Sequence, residues 1–341
     1  MLKPYLQKLM AKPHLTREES ESAMSVILDN ADPHQTAAFL MILRFRGEVA
    51  DEVVGMAAAL QKRAIPVNLQ FPVLDIVGTG GDLANTVNIS TGSAILAAAC
   101  GLPIAKHGNR SVSSKSGSAD VVEEFGIDLE SSPDELQRYL EEVGIAFMYA
   151  PHYNPSLSKL STIRRGLKLP TIINSLGPLL NPANAEYSLI GVANESTLKL
   201  MSKVILQLSN KKRTLLFHGC GLDELTTLGK VKAYDIKDGE ATYLEIDPCT
   251  LGFTTCRLEE LQGGNAQLNA SILKEVFAGK KGAVADALIL NAGAAVWIFG
   301  KAPSLAEGVE VARSVLEKGA ALNVLDKWSS LSRQLKLQRN L

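Results

Sequence analysis

Between Val73 and Ser118 the chain has few ways to fold. An apolar run, Val73 to Val77, has the length of a buried strand. Gly78-Thr79-Gly80-Gly81-Asp82 then breaks every regular periodicity. Three glycines in four positions permit φ > 0 and let backbone N–H groups turn inward around an anion. Ser90 and Thr91 stand just ahead of Gly92 to Gly101, which reads as a short, tightly packed helix with a hydroxyl at its N-cap and Gly101 as its stop. The free N–H groups and partial positive charge of a helix start make it a natural phosphate site. A second short strand, Pro103-Ile104-Ala105, leads into Lys106-His107-Gly108-Asn109-Arg110, and the run from Ser111 to Ser118 holds five serines in eight residues. Strand, glycine loop, hydroxylated helix start, strand and basic loop, with cations at Lys106, Arg110 and Lys115, suit a highly phosphorylated ligand. The spacing matches neither GxxxxGK[ST] nor a GxGxxG that opens a helix directly.

The remaining chain supports a two-part molecule. Its 341 residues suffice for a sizeable core and two domains. A net charge of −1 gives no basic face for nucleic acid. Cys100, Cys220, Cys249 and Cys256 form no CxxC pair and no metal spacing with the five histidines, so they read as reduced cysteines of a cytoplasmic protein. The amino terminus lacks the apolar segment of a signal peptide. The longest apolar run, Ala283 to Phe299, is interrupted by Asp286 and Asn291 and falls short of the ~20 residues of a spanning helix. It reads as a buried core helix, and no membrane partner is expected.

Residues 1 to about 65 read as all-helical. Thr16 and Glu19 form a capping-box pattern, Asp32-Pro33 an N-cap with proline at the first helical position, and Gly47 a stop before a helix starting near Asp51. Pro66 and Pro72 bracket a linker. Beyond it, short apolar runs alternate with helical ones, which predicts an α/β unit with a central parallel or mixed sheet. Helices are predicted over 121–125, 133–143 and 197–208, and strands over 145–149, 187–192 and 213–217. Two further strands, 231–236 and 241–246, form a hairpin around Asp238-Gly239. Three closing helices are expected near 268–279, 283–299 and 303–330.

GTGGD, NTVNIST and KHGNRSVSSKSGSAD closely resemble the signature of the anthranilate phosphoribosyltransferase family of tryptophan biosynthesis. The resemblance continues through Asn174 to Pro182 (NSLGPLLNP) and His218 to Glu224 (HGCGLDE), and so covers most of the chain in order. It implies a nucleoside phosphorylase/phosphoribosyltransferase-like fold, with a small all-α domain of residues 1–70 joined by about 165–185. The larger α/β domain then comprises 71–164 and 186–341, and the site lies in the cleft between the two. The implied reaction is phosphoribosyl transfer from phosphoribosyl pyrophosphate (PRPP) to anthranilate with release of pyrophosphate. Mg²⁺ is the implied cofactor and a cytoplasmic homodimer, joined through the helical part, the implied assembly.

Carried over residue by residue, the resemblance assigns PRPP binding to Gly78, Gly81, Asp82, Thr86, Asn88, Ile89, Ser90, Thr91, Lys106, His107, Gly108, Asn109, Arg110, Ser111, Val112, Ser113, Ser114 and Ser118. It assigns anthranilate to Gly78, His107, Asn109, Asn154 and Arg164, and the metal to Ser90, Asp223 and Glu224. The chemistry suits these types. Expelling pyrophosphate builds negative charge on the leaving oxygens, which fixed dipoles, Lys106 and a cation can neutralise. Mg²⁺ needs only one or two carboxylates beside phosphates and water, so the adjacent Asp223-Glu224 pair suffices. A guanidinium such as Arg164 suits a carboxylate bidentately. Asp82 would repel phosphate directly, so a ribose hydroxyl or metal-bound water is its expected partner. An aromatic amine is nucleophilic without deprotonation, so no Ser/His/Asp-type triad is assigned.

Three positions depart from the family pattern: Leu83 replaces a glycine, Val87 a phenylalanine, and Asn154 a histidine that flanks the acceptor. Asparagine keeps hydrogen-bonding capacity but loses the ring and the charge option, so this departure bears on the acceptor. The rival readings are a related transferase with another aromatic amine, a pyrimidine nucleoside phosphorylase, and a non-catalytic nucleic-acid-binding paralogue. KHGNRSVSS weighs against the phosphorylase, and the balanced charge with an intact Asp223-Glu224 pair against the paralogue.

Overall fold

A computed structural model describes every residue except Pro13 and Val112 to Ser114. The expected donor residues Val112, Ser113 and Ser114 therefore lie outside the described residues. Four helices open the chain: α1 (Lys3–Ala11), α2 (Arg17–Asn30), α3 (Pro33–Arg46) and α4 (Ala50–Gln61). Their ends follow from local chemistry. The Glu19 N–H donates to the Thr16 hydroxyl while the Thr16 N–H donates to the Glu19 carboxylate. The N–H groups of His34 and Gln35 donate to Asp32, and Gly47 ends α3 at φ 87°. Helix α2 lies close against α4 at Gly55, where a Cβ would meet the Arg17 carbonyl oxygen at 2.2 Å.

The alternating region follows as β1 (Leu74–Gly78), α5 (Ile89–Ala99), β2 (Ile104–Gly108), α6 (Ser118–Glu124), α7 (Pro133–Glu142) and β3 (Ile145–Tyr149). Helices α8 (Ala150–Tyr153), α9 (Ser158–Leu167) and α10 (Ile172–Leu176) come next. Then follow β4 (Tyr187–Gly191), α11 (Glu195–Ile205), β5 (Arg213–Gly219), β6 (Val231–Lys237) and β7 (Glu240–Ile246). The chain closes with α12 (Ala266–Phe277), α13 (Ala283–Ile298), α14 (Leu305–Glu317) and α15 (Ala320–Arg339). One seven-stranded sheet has the order β3-β2-β1-β4-β5-β6-β7. It is parallel from β3 to β5 and antiparallel at β6 and β7, so the mixed sheet expected from the alternation is present. Asp238 and Gly239 both take positive φ, 53° and 78°, as a tight hairpin turn demands.

Two sequence expectations are corrected. Helix α5 starts at Ile89, with Asn88 as its N-cap and no side-chain cap, so Ser90 and Thr91 sit inside the first turn. A cap hydroxyl is unnecessary there because the distant Glu224 carboxylate accepts from the Ser90 N–H. The tail carries four helices in place of three: Gly319, at φ 69°, breaks the stretch expected over 303–330, and α15 runs on to Arg339.

Two apolar cores cover the sheet on both faces. One joins the sheet to α5, α6, α7 and the four closing helices, with Phe147, Phe217, Phe277 and Trp328 fully buried. Helix α13 is buried nearly all round, as a continuous apolar run requires. The other core gathers α1 to α4 with Leu160 of α9, Ile172, Ile173 and Leu176 of α10, apolar residues of α11, and Ile190 and Leu216 from the sheet. From β1, the chain passes through α5 to β2 on one side, while β4, on the other side, continues through α11 to β5. The carboxyl ends of β1 and β4 thus form a topological switch point, the usual place for a ligand crevice in an open α/β sheet. Among the described residues no helix is long and apolar enough to cross a membrane.

Candidate active site

The carboxyl ends of β1 and β4 lie side by side, with Gly78 paired to Gly191. Both residues must be glycine for one reason. A Cβ on Gly78 would meet Asp223 Oδ2 at 2.2 Å, and one on Gly191 would meet the Asp223 carbonyl oxygen at 1.7 Å. The loop after β5 therefore lies directly on these two strands and lowers Asp223 onto the glycine turn. Gly80 and Gly81 take positive φ, 66° and 88°, and the Gly80 N–H donates to Asp223 Oδ2 at 2.6 Å. The next residue of the loop, Glu224, reaches the start of α5, where the Ser90 N–H donates to its Oε1 at 3.1 Å. A carboxylate at a helix N-terminus is favoured by the exposed N–H groups and the helix dipole.

Asp223 and Glu224 thus meet near one buried lysine, and the Asp82 charge acts on both. Burial first, and the Asp82 charge second, push the Asp223 carboxyl up to about 7. Burial and then the Asp223 charge raise Glu224 well above the carboxylate range, against the pull of Lys106. Lys106 is only 2% exposed; its Nζ donates to the Ile76 carbonyl at 2.5 Å and to Ser90 Oγ at 3.3 Å. Burial lowers its pKa, while Asp75, Glu224 and Asp223 oppose that. The carboxylate oxygens of Asp223 and Glu224 are hard donors, the kind that suits Mg²⁺. Among the described residues no three His, Cys, Asp or Glu side chains form a ready-made cage for a metal ion.

On the neighbouring strand, His107 is buried. Its Nδ1 faces the Gly177 carbonyl at 3.3 Å, and its backbone N–H donates to Asp75 at 3.2 Å. Burial lowers its pKa, which favours the neutral ring. A carbonyl only accepts, which puts the proton on Nδ1 and leaves Nε2 as an acceptor, buried and without a partner. The Thr91 hydroxyl is likewise buried without a partner. Asp75 and Asn181, both missed as site residues from the sequence, hold this strand: Asn181 Nδ2 donates to Asp75 and to the Ala105 carbonyl, each at 2.8 Å. The quoted NSLGPLLNP motif contained that asparagine, but nothing in its local pattern pointed to Asp75.

The basic loop between β2 and α6 is pinned at its neck. The N–H groups of Ser111 and Gly117 donate to Asp120 at 3.2 and 2.8 Å, and Ser118 Oγ donates to the Asn109 carbonyl at 3.3 Å. A Cβ on Gly108 would strike Ser118 Oγ at 2.3 Å, so the two ends of the loop touch. Arg110 differs from the expectation of a cation facing phosphate: its guanidinium pairs with Asp120 and Glu123, which raise its pKa. Asn88 Nδ2 donates to the Ser116 carbonyl at 3.3 Å, linking the start of α5 to this loop. Thr86 and Asn88 therefore lie between the glycine turn and the serine loop, with Ile89 fully buried behind them.

Arg164 lies on α9, half-buried, with its pKa lowered by burial and no carboxylate paired to it among the described residues. Asn154 is 1% exposed. Its Nδ2 donates to the Leu60 carbonyl at the end of α4 at 3.0 Å, and its Oδ1 is buried without a partner. Its amide thus ties α8 to the amino-terminal helices. Leu83 takes φ 59°, the left-handed region where glycine is favoured, and it is 75% exposed.

The full chain aligns at 64% identity with the anthranilate phosphoribosyltransferase of Chlamydia caviae, covering 99% of each. Identity to the Bacillus cereus enzyme is 41%, over 98% of each. The chain belongs to the anthranilate phosphoribosyltransferase family. Two family models match in sequence, a glycosyl transferase family helical bundle domain over residues 3–64 and a glycosyl transferase family a/b domain over residues 70–322. Among solved structures, the family member from Thermus thermophilus is 37% identical with a TM-score of 0.90, covering 96% of this chain and 99% of its own. The Saccharomyces cerevisiae enzyme in complex with PRPP and Mg has a TM-score of 0.90 at 28% identity, over 98% of each chain. Membership makes the chain an enzyme of the glycosyltransferase class with the two-part fold already seen.

Proposed function

We infer that the chain transfers the phosphoribosyl group of PRPP to the amine of anthranilate, giving N-(5-phosphoribosyl)anthranilate and pyrophosphate, a step of tryptophan biosynthesis. The observation that carries this reading is Asp223 seated on Gly78 and Gly191, with Glu224 on the start of α5. That contact joins the glycine turn, a helix N-terminus and an acidic pair in one crevice. The S. cerevisiae relative in complex with PRPP and Mg supports it.

In this reading Asp223, Glu224 and Ser90 hold Mg²⁺, which when bound neutralises charge on the departing pyrophosphate. The glycine turn, where no side chain bars the approach, and Lys106 hold the phosphates, beside the start of α5 whose Ser90 N–H is taken by Glu224. Asp82 orients a ribose hydroxyl or a metal-bound water. The looped neck at Gly108, Asn109 and Ser118 closes over the donor from β2. The unpaired guanidinium of Arg164 takes the anthranilate carboxylate, and the neutral His107 ring offers Nε2 as an acceptor beside the amine. The bond from ribose C1 to the pyrophosphate oxygen breaks as the bond from C1 to the amine nitrogen forms, pyrophosphate leaves, and the resulting ammonium loses a proton to water.

The helical part comprises 1–70 together with about 165–185. The packing of Leu160 with α1 to α4 supports a crossing slightly earlier, at about residue 155. The assembly is a homodimer through this helical part, supported by Met10 and Phe45, which are 80% and 94% exposed there. The location is cytoplasmic, in keeping with four free cysteines. The test is PRPP consumption with and without anthranilate, with and without Mg²⁺, alongside other aromatic amines. Turnover should require anthranilate and the metal, and a double Asp223→Ala, Glu224→Ala variant should lose it. Undiminished turnover in that variant would sink the metal assignment.

A further inference from the structure

Residues 261–269 lie outside every motif that bears on the site, yet they strap the segment between the glycine turn and α5. The Val87 N–H donates to the Leu261 carbonyl at 2.9 Å, the Gly263 N–H donates to the Asn85 carbonyl at 2.9 Å, and Thr86 pairs with Gln262 in antiparallel fashion. At the end of this strap stands Asn269 of α12, 1% exposed. Its Oδ1 accepts from the Gly264 N–H at 2.7 Å and its Nδ2 donates to Asn88 Oδ1 at 2.8 Å. The Asn88 amide in turn donates to the Ser116 carbonyl. A Cβ on Gly263 would lie 2.4 Å from Asn269 Oδ1 and 2.9 Å from Val87 N, so strap, asparagine and donor segment meet with no space between them.

The polarity of this chain of amides has one source. A backbone N–H cannot be inverted, so Gly264 fixes which end of Asn269 is oxygen. That leaves the Asn269 NH₂ facing Asn88, fixes the Asn88 oxygen toward it, and directs the Asn88 NH₂ to the serine loop. We propose that Asn269 is a positioning residue for the donor: through Asn88 it sets the distance between the start of α5 and the serine loop, the two arms that hold PRPP. The proposal rests on the donor reading given above and assigns a role to a residue that does not touch substrate.

Asn269→Asp is the discriminating variant. It keeps an acceptor for Gly264 but has no donor for Asn88, whose amide then turns its NH₂ toward the carboxylate and its oxygen against the Ser116 carbonyl. Asn269→Leu removes both contacts at similar volume. The expected result in both is a rise of about tenfold in KM for PRPP, with KM for anthranilate within about twofold of wild type, the loss of one buried hydrogen bond setting the scale. Tm should fall in both variants, the buried hydrogen bond being lost in each, so the discriminating readout is the selective rise in KM for PRPP. An unchanged KM for PRPP in the folded Asp variant overturns the proposal. So does an equal rise in both KM values, since that is what general loosening produces. Calorimetric PRPP binding to wild type and variants separates the readings. Wild type that binds PRPP but does not turn over with anthranilate fails the acceptor assignment alone, and the binding ratio then reads the Asn269 proposal directly.

Discussion

Single residues at this site are chosen by what they touch across the chain. Gly78 and Gly191 are glycines because Asp223 occupies the space of their missing side chains. Leu83 is the opposite case: a side chain where the backbone favours none. A non-glycine residue in the left-handed region costs about 1 kcal/mol. Leu83→Gly should therefore raise the unfolding free energy by up to about 1 kcal/mol, read from urea unfolding at unchanged m, and a decrease would refute the strain. His107 carries a second expectation. Burial holds its pKa below the ordinary value of 6.5, so the folded state binds a proton later than the unfolded chain does as pH falls. The unfolded chain therefore takes up this proton first, and the His107 contribution lowers stability as pH falls through 6.5. Its Cε1 proton resonance should inflect at a lower pH than that of a free histidine, and an inflection at or above pH 6.5 would refute the shift.

Elements are placed by their ends. Helix α7 begins at Ser132, whose Oγ accepts from the Glu135 N–H while Glu135 accepts from the Ser132 N–H. It buries Leu136, Tyr139 and Leu140 along one stripe. Ser132→Ala removes half of that reciprocal cap and should cost about 1 kcal/mol, without effect on KM for either substrate because α7 lies away from the acidic loop. The β1–β4 pair behaves differently. Gly191→Ala would drive the Asp223 backbone from its seat, and displacement of a site loop by about 1 Å can cost roughly 100-fold in rate. Single-turnover rates should fall by that order while circular dichroism retains the native helix content. A near-wild-type rate would refute the packing constraint.

At the scale of the molecule, the same sheet carries two cores of different partners. One face is closed by the carboxyl-terminal helices, the other by α11 and then by the amino-terminal helices with α9 and α10. Arg164 stands on α9 and Lys106 on β2, with Asp223 in the loop after β5, so the proposed acceptor and donor groups belong to different parts of the molecule and their geometry depends on how those parts meet. The exposed Phe45 and Met10 on the helical part give the dimer expectation its test. Sedimentation equilibrium should return twice the chain mass, and Phe45→Asp should return a monomer with unchanged circular dichroism.

Much of this was legible from local pattern. The Thr16, Asp32 and Asp238-Gly239 signals act over a few residues, and their helix ends and hairpin fall where expected because caps and tight turns need no distant partner. The start of α5 was misplaced by the hydroxyls at Ser90 and Thr91, since its actual N–H partner, Glu224, is remote in sequence. The tail was merged because the apolar period runs through Gly319 and only its positive φ separates α14 from α15.

The sequence by itself determined the alternation of elements, the glycine turn, the acidic pair and the family to which they belong. These are properties of short segments whose chemistry is written in neighbouring residues. Only the tertiary structure decided that Asp223 rests on Gly78 and Gly191, that Asp120 and Glu123 hold Arg110, and that Asn269 orients Asn88. Each of those depends on backbone groups brought within hydrogen-bond or van der Waals reach by the strand order, and strand order is set by packing over the whole sheet.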